Sequence, residues 1–488
     1  MNTPASTLLG NWRDGRGPAY RKLAEALRAA IDRSDLPAGA RLPAERALAE
    51  DLGVSRTTVI AAYDALRSDG RIRSRRGSGT RVAGAPATGV PGASGRPSAD
   101  AIRPNVVFRG LIEAADASIE LLSVQLPPAR PFLEEAMAET AADAPRLLRH
   151  HGYTGLGLPE LREAIASHLT SEGLSTRPEE ILVTHGAQQA IALAARHFVE
   201  PGGAAVLEDP TYLGAIDVLV SAGARLVPIG TGPAGASVED LRIAVHRERP
   251  SLVYLMPSFQ NPVGGVVPES ARREIGALVA ARDIPLVEDD TLAHLDFGQR
   301  PPRSIAALCP AARVLSVGSL SKLMWGGLRV GWIRGPRADI DRLARLKVME
   351  DLGNSVVSQA VAARLLGRVA KVRELRRKQI RERYGVLSDE IARRLKDWSA
   401  PRPAGGLSVW AKLPRGNAAE FAAVARRFGV SILPGSTCSP SGRFPAHVRI
   451  PFGLEPDRIR EGVKRLARAW REYSPSSAES PSRLDVVV

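Results

Sequence analysis

Between residues 180 and 334 the chain alternates seven short β-rich runs with helical patterns: 181–184, 205–208, 225–229, 252–255, 285–288, 313–317 and 330–333. Runs of this length with helices between them argue for a mostly parallel, seven-stranded sheet covered by helices on both faces. Ligands in such sheets bind beyond the strand ends, so the residues just after each run are the candidates for chemistry.

The sixth run opens into the most informative stretch, Ser316-Val-Gly-Ser319-Leu-Ser321-Lys322-Leu-Met-Trp-Gly326-Gly-Leu-Arg329-Val-Gly331-Trp332. Hydroxyls and a guanidinium beside a lysine suit a phosphate whose parent molecule the lysine can reach. A lysine kept partly neutral by neighbouring cations and desolvation attacks carbonyls and forms Schiff bases. Pyridoxal 5'-phosphate offers both the aldehyde and the phosphate. Ser-x-Ser-Lys followed by Gly-Leu-Arg-x-Gly resembles the cofactor-lysine signature of the fold-type I aminotransferases. A surface Ser/Lys loop is the plain alternative for the motif alone, so the remaining contacts decide.

Those contacts follow in workable order. After the first run, Thr184-His185-Gly186-Ala187-Gln188-Gln189 opens a helix, and the free amides of Gly186, Ala187 and Gln188 form an anion cradle. The resemblance implies that Tyr212 stacks on the pyridine ring, a packed core tyrosine being the alternative. It implies that Asn261 donates to the cofactor's phenolic oxygen. It implies further that Asp289, rather than Asp290, keeps the pyridine nitrogen protonated. Ser319 and Arg329 would clamp the phosphate with Ser321 beside them, and Lys322 would form the aldimine. Arg449, in His447-Val-Arg-Ile-Pro-Phe-Gly453, matches the arginine that takes a substrate carboxylate, which its planar fork fits; a structural pairing is the alternative. Tyr153 would reach the neighbouring subunit's phosphate site. The chain departs from the family at Thr291-Leu292-Ala293, where a tyrosine is usual, and at Gly326, where proline is customary.

Upstream, apolar residues at helical spacing over 20–33, a second helix starting at Pro43 and running through residue 51, a glycine turn at Leu52-Gly53-Val54, and a third helix over 56–68 capped by Ser55 spell a helix-turn-helix. Residues 71–82 alternate like a hairpin, and residues 67–81 hold six arginines against one acid. The phrases Leu42-Pro-Ala-Glu-Arg46, Leu52-Gly-Val-Ser-Arg-Thr-Thr-Val59 and Arg75-Arg-Gly-Ser-Gly-Thr80 resemble the GntR-type winged helix. The resemblance brings Arg46, Arg56, Thr58 and Gly77 to DNA. Ser55 and Thr57 share the start of the recognition helix, and Arg75 sits in a wing suited to phosphates.

The expected organisation is a winged helix over 16–82, a Gly/Ala/Pro-rich linker over 83–118, a cofactor-binding body over 119–473 and a disordered tail over 474–488. No apolar run reaches membrane length, and residues 1–15 lack the centre of a signal peptide, which points to a soluble, cytoplasmic chain. Two cysteines, Cys309 and Cys438, make neither a disulfide framework nor a metal site. A net charge of +15 agrees with a polyanionic partner. A GntR-like head on an aminotransferase-like body is similar to the MocR-type transcriptional regulators. The resemblance implies a homodimer on double-stranded operator DNA that senses an amino-group effector, or pyridoxal phosphate itself, through Lys322. The rival reading is an amino-acid transaminase with an accessory head.

Overall fold

The computed structural model describes residues 12, 18–32, 36, 40, 42–68, 71–75, 79–82, 119–149 and 151–475. The linker and almost all of the tail named above, and Gly77 at the wing tip, lie outside them. The chain divides into two compact units, residues 1–95 and 96–488.

In the first unit, α1 (Ala19–Asp32), α2 (Glu45–Leu52) and α3 (Arg56–Ser68) precede the antiparallel pair β1 (Ile72–Arg75) and β2 (Gly79–Val82). Leu23, Leu27, Leu48, Val59, Tyr63 and Leu66 bury one face of each helix, and Ile72 and Val82, paired across the hairpin, close the core beneath them. Gly53 ends α2 in the left-handed region (φ 60°), which a side chain disfavours, and its N–H satisfies the last carbonyls of the helix. The second helix begins two residues later than the sequence suggested. Residues 42–44 lie outside the helix, Ala44 being extended, with the Leu42 N–H donating to Thr80 O (2.9 Å) and Pro43 O accepting from the Tyr63 hydroxyl (2.9 Å).

The second unit is built on a sheet ordered β4 (Ile181–Thr184), β11 (Gly331–Arg334), β10 (Val314–Ser319), β9 (Leu286–Asp289), β8 (Leu252–Leu255), β5 (Ala204–Asp209), β6 (Arg225–Gly232) and β7 (Gly235–Ala236). All seven expected strands are present. The eighth, β7, is a two-residue return of β6, too short to register as a β-rich run. Strands β10, β9, β8, β5 and β6 are parallel, whereas β11 runs against both neighbours. Strands β4, β5, β8 and β9 are buried at every residue, as expected where helices cover both faces.

A smaller sheet, ordered β12 (Ser408–Lys412), β14 (His447–Pro451), β13 (Val430–Pro434) and β3 (Ile119–Leu121), carries Arg449 at its centre, opposite Trp410 and Leu433. The long α4 (Val369–Arg394) packs against the terminal helix α5 (Pro456–Glu472). Their buried residues join the small sheet to the core shared with the large one.

Candidate cofactor site and candidate nucleic-acid interface

At the strand ends of the body lies a cavity of about 570 Å³. Its lining includes Ala187, Gln188, Tyr212, Asn261, Asp289, Ser319, Ser321, Lys322, Arg329 and Arg449. Of the expected body residues, Tyr153 stands apart, 65% exposed on the surface. Gly186 is the residue before the helix Ala187–Phe198, at φ 94°.

One side of the cavity is an anion cradle. The Arg329 guanidinium donates to His185 O (2.6 Å) and so lies over Gly186, where a Cβ would stand 3.4 Å from Nη2. Strand β11 crosses so close behind that a Cβ on Gly331 would fall 2.7 Å from the Gly186 Cα, which is why glycine follows Arg329 at that spacing. The hydroxyls of Ser319 and Ser321 are 3.0 Å apart, and the Ser321 N–H donates to Ser319 Oγ (3.1 Å). With the N-terminal residues of the Ala187–Phe198 helix, these groups line the same cavity.

Lys322 is half-buried at the cavity wall and donates to Val124 O (2.5 Å). Burial, then Arg449 and Arg329, lower its amine to about 8, against the opposing pull of Asp289. The neutral amine is thereby brought within reach of ordinary pH.

Asp289 and Asp290 separate as strand geometry demands, since successive residues face opposite sides. Asp289 lines this cavity and Asp290 does not. The Asp289 carboxylate accepts from the Tyr254 hydroxyl (2.8 Å), the Thr291 hydroxyl (2.7 Å) and the Thr291 N–H (3.1 Å). Burial raises its pKa and these donors oppose the rise. Thr291, conspicuous in the sequence as a departure, thus holds the carboxylate. Tyr254 was not singled out from the sequence; the available signal was a tyrosine inside an otherwise apolar, buried strand, whose hydroxyl needs a partner.

Tyr212 donates to Gln188 Oε1 (2.9 Å), and Gln188 Nε2 donates to Gly214 O (3.0 Å), so the Gln188 side chain positions the ring. Burial pushes the Tyr212 hydroxyl up to about 12, leaving it protonated at neutral pH.

Arg449 is 3% exposed. Its Nη1 donates to Asn261 Oδ1 (3.1 Å) and its Nη2 to Leu122 O, while Nε has no partner among the described residues. A guanidinium offers only donors, so it takes the oxygen of Asn261 and leaves the amide's NH2 end as a donor. No carboxylate among the described residues forms an ion pair with Arg449, and a buried cation held only by neutral oxygens favours an incoming anion.

In the first unit, Arg46, Ser55, Arg56 and Thr57 are exposed and Thr58 is half-buried. Ser55 caps α3 by accepting from the Thr58 N–H (3.2 Å), and its Oγ lies 2.8 Å from both the Thr57 and Thr58 hydroxyls. Arg56 approaches Glu45 at 3.5 Å while its side chain remains 65% exposed. The α3 start therefore presents hydroxyls and the Arg56 cation to solvent, with Arg46 exposed on α2. Arg75 occupies the end of β1, opposite Gly79.

Residues 132–466 match the family described as aminotransferase class I and II, and residues 19–82 match the bacterial regulatory proteins of the gntR family. The chain is 33% identical over 490 residues to the "Probable rhizopine catabolism regulatory protein MocR" of Rhizobium meliloti, spanning 96% of each. It is 33% identical to a 2-aminoadipate transaminase of Thermus thermophilus, over 71% of this chain and 88% of that protein. Among solved structures, the α-aminoadipate aminotransferase LysN of Thermus thermophilus, complexed with N-(5'-phosphopyridoxyl)-L-leucine, superposes with a TM-score of 0.69 at 30% identity. That match covers 76% of this chain and 95% of LysN. The kynurenine aminotransferase of Pyrococcus horikoshii also gives 0.69, at 28% identity over 75% of this chain and 93% of its own.

Pyridoxal phosphate is the cofactor this family implies, and the donor set fits it. Arg329, Lys322 and Arg449 stand against the single carboxylate of Asp289, with a glycine cradle that a Cβ would narrow. With one relative aligned from end to end and both family matches in the same order, the chain belongs to the MocR-type regulators of the GntR family, whose body is a class I and II aminotransferase domain.

Proposed function

We propose that the protein is a pyridoxal-phosphate-dependent, DNA-binding transcriptional regulator that senses an amino-group effector, or the cofactor itself, through a Schiff base at Lys322. The observation that carries this reading is Arg449, a buried guanidinium that among the described residues has one unpartnered N–H and no carboxylate paired with it, in the same cavity as a lysine whose amine is lowered to about 8. A molecule bearing both an amine and a carboxylate answers both groups.

When bound, the cofactor supplies an aldehyde for the lysine and an electron-withdrawing ring. The protein's part is to hold it. Gly186, Ala187, Ser319, Ser321 and Arg329 bind the phosphate; Asp289, fixed by Tyr254 and Thr291, accepts a ring N–H; Asn261 donates from its free amide end; Tyr212, steadied by Gln188, covers the ring. Arg449 orients the effector by its carboxylate.

The DNA-facing residues of the head are Arg46, Ser55, Arg56, Thr57, Thr58, Arg75 and Gly77. The working form is a cytoplasmic homodimer, with Tyr153 serving the neighbouring subunit's phosphate site. No helix among the described residues is long and apolar enough to cross a membrane. Effector binding would change the affinity for DNA, and DNA would change the affinity for effector by the same factor.

The likeness to a named transaminase favours a second reading, an enzyme acting on an amino acid. Turnover separates the two: the regulator, given amino donors and 2-oxoacids, shows little or no sustained transamination, whereas an enzyme converts many equivalents.

A further inference from the structure

Behind the β9–β10 wall lies a second cavity of about 240 Å³. Asp290, His294 and Ser316 line it, and each brings a buried polar atom that has no partner among the described residues: Asp290 Oδ1, His294 Nδ1 and Ser316 Oγ. Ser316 is 4% exposed, so bulk water does not serve it. Buried polar atoms are nearly always partnered, and three orphans around one cavity call for an occupant with several polar groups.

The neighbouring groups do not fill that role. Arg272 donates to the carbonyls of Val267, Pro257 and Arg303 and to Ser258 Oγ. Glu288 accepts from the N–H groups of Ile305 and Ala306. Arg373 is paired with Asp296 (2.8 Å). The Nε2 atoms of His168 and His294 are 3.3 Å apart, so one ring donates to the other.

Asp290 is half-buried beside Glu288, and desolvation followed by that neighbour raises its pKa well above the usual carboxylate range, against the opposing pull of Arg272 and a hydrogen bond from Ser258. A ligand cation meeting the carboxyl would further favour the ionised form. Arg300 also lines the cavity, with its side chain 65% exposed and 3.8 Å from Glu172. We propose that this cavity is a second ligand site, for a compact α-amino-acid zwitterion whose ammonium meets Asp290, Ser316 and His294 and whose carboxylate faces Arg300. The two cavities share Ser319 in their linings and no other residue, and the proposal does not depend on the reading given for the first.

The test uses the full chain, treated with pyridoxal phosphate and borohydride so that the first cavity is filled, and titrated calorimetrically with L-alanine. Propionate and ethylammonium serve as single-charge controls. One equivalent of L-alanine should bind, with both controls and the Asp290→Asn variant at least about tenfold weaker, the loss of one charge-assisted hydrogen bond. Should Asp290→Asn not fold, as judged by circular dichroism, Ser316→Ala and Arg300→Ala carry the same comparison. The mass of the reduced chain reports cofactor fixation independently. If none is fixed, the titration is repeated on an Arg449→Ala background, where surviving binding belongs to the second cavity. Absence of L-alanine binding, equal binding of either control, or binding that none of these substitutions weakens would overturn the proposal and leave the cavity to water.

Discussion

The Tyr254 hydroxyl donates to Asp289 Oδ2 across 2.8 Å, from one strand to the next. Tyr254 is the register partner of Val287, two residues before Asp289 on the same face of β9, so the contact is a diagonal neighbour on one side of the sheet. Through it, β8 fixes the carboxylate that faces the cofactor cavity.

Tyr254→Phe should therefore destabilise the body by about 1–3 kcal/mol, the cost of leaving a buried acceptor short of a donor. That donor lowers the Asp289 pKa, so its loss should let the carboxyl protonate at higher pH and weaken cofactor retention. Urea unfolding and a pH titration of the bound cofactor's absorbance check both.

The pH dependence of cofactor uptake follows from Lys322. Its amine is lowered to about 8, so the neutral form rises about tenfold between pH 7 and pH 9. The rate of pyridoxal phosphate capture by the apo chain should rise by that factor and level off above about 9. The stability term has the matching sign. The unfolded lysine holds its proton up to about 10.4. The cost of burying the charge is therefore full below about 8, is relieved as pH rises towards the unfolded value, and stability increases across that window. Stopped-flow absorbance measures the first and denaturation at several pH values the second.

Arg449→Ala should weaken an amino-acid effector by about 1.5–3 kcal/mol, the range for hydrogen bonds to a charged group, while the corresponding amine without a carboxylate changes little. Paired titrations of one amino acid and its decarboxylated amine decide this. Equal losses for both would show that Arg449 acts on the protein alone.

At the head, Arg56→Ala should weaken operator binding about tenfold and flatten its salt dependence by close to one counterion if the contact is to phosphate. Ser55→Ala should instead destabilise the head by about 1 kcal/mol through loss of the cap on α3. Fluorescence anisotropy across salt concentrations and thermal melting separate the two effects.

The strands and the third helix were legible because their signals are local: short β-rich runs flanked by helices, and a serine cap ahead of a helical stripe. Pro43 misled because proline suits a helix start equally well as an extended segment, and the choice was made by the Tyr63 hydroxyl twenty residues away. The two-residue β7 is too short to carry a pattern. Which of Asp289 and Asp290 faces the cavity depends on strand phase, and Tyr254 emerges as a partner of Asp289 only once β8 and β9 are known to be neighbours. The lack of a carboxylate for Arg449 is likewise a property of the assembled core, since the chain has acidic residues in plenty.

The most direct test of the account is operator binding by the full chain and by Lys322→Ala, each with and without pyridoxal phosphate and a panel of amino acids. The account predicts that ligand shifts DNA affinity for the natural chain, that the shift vanishes in Lys322→Ala, and that the variant still binds DNA. A ligand response of equal size in both proteins would contradict it.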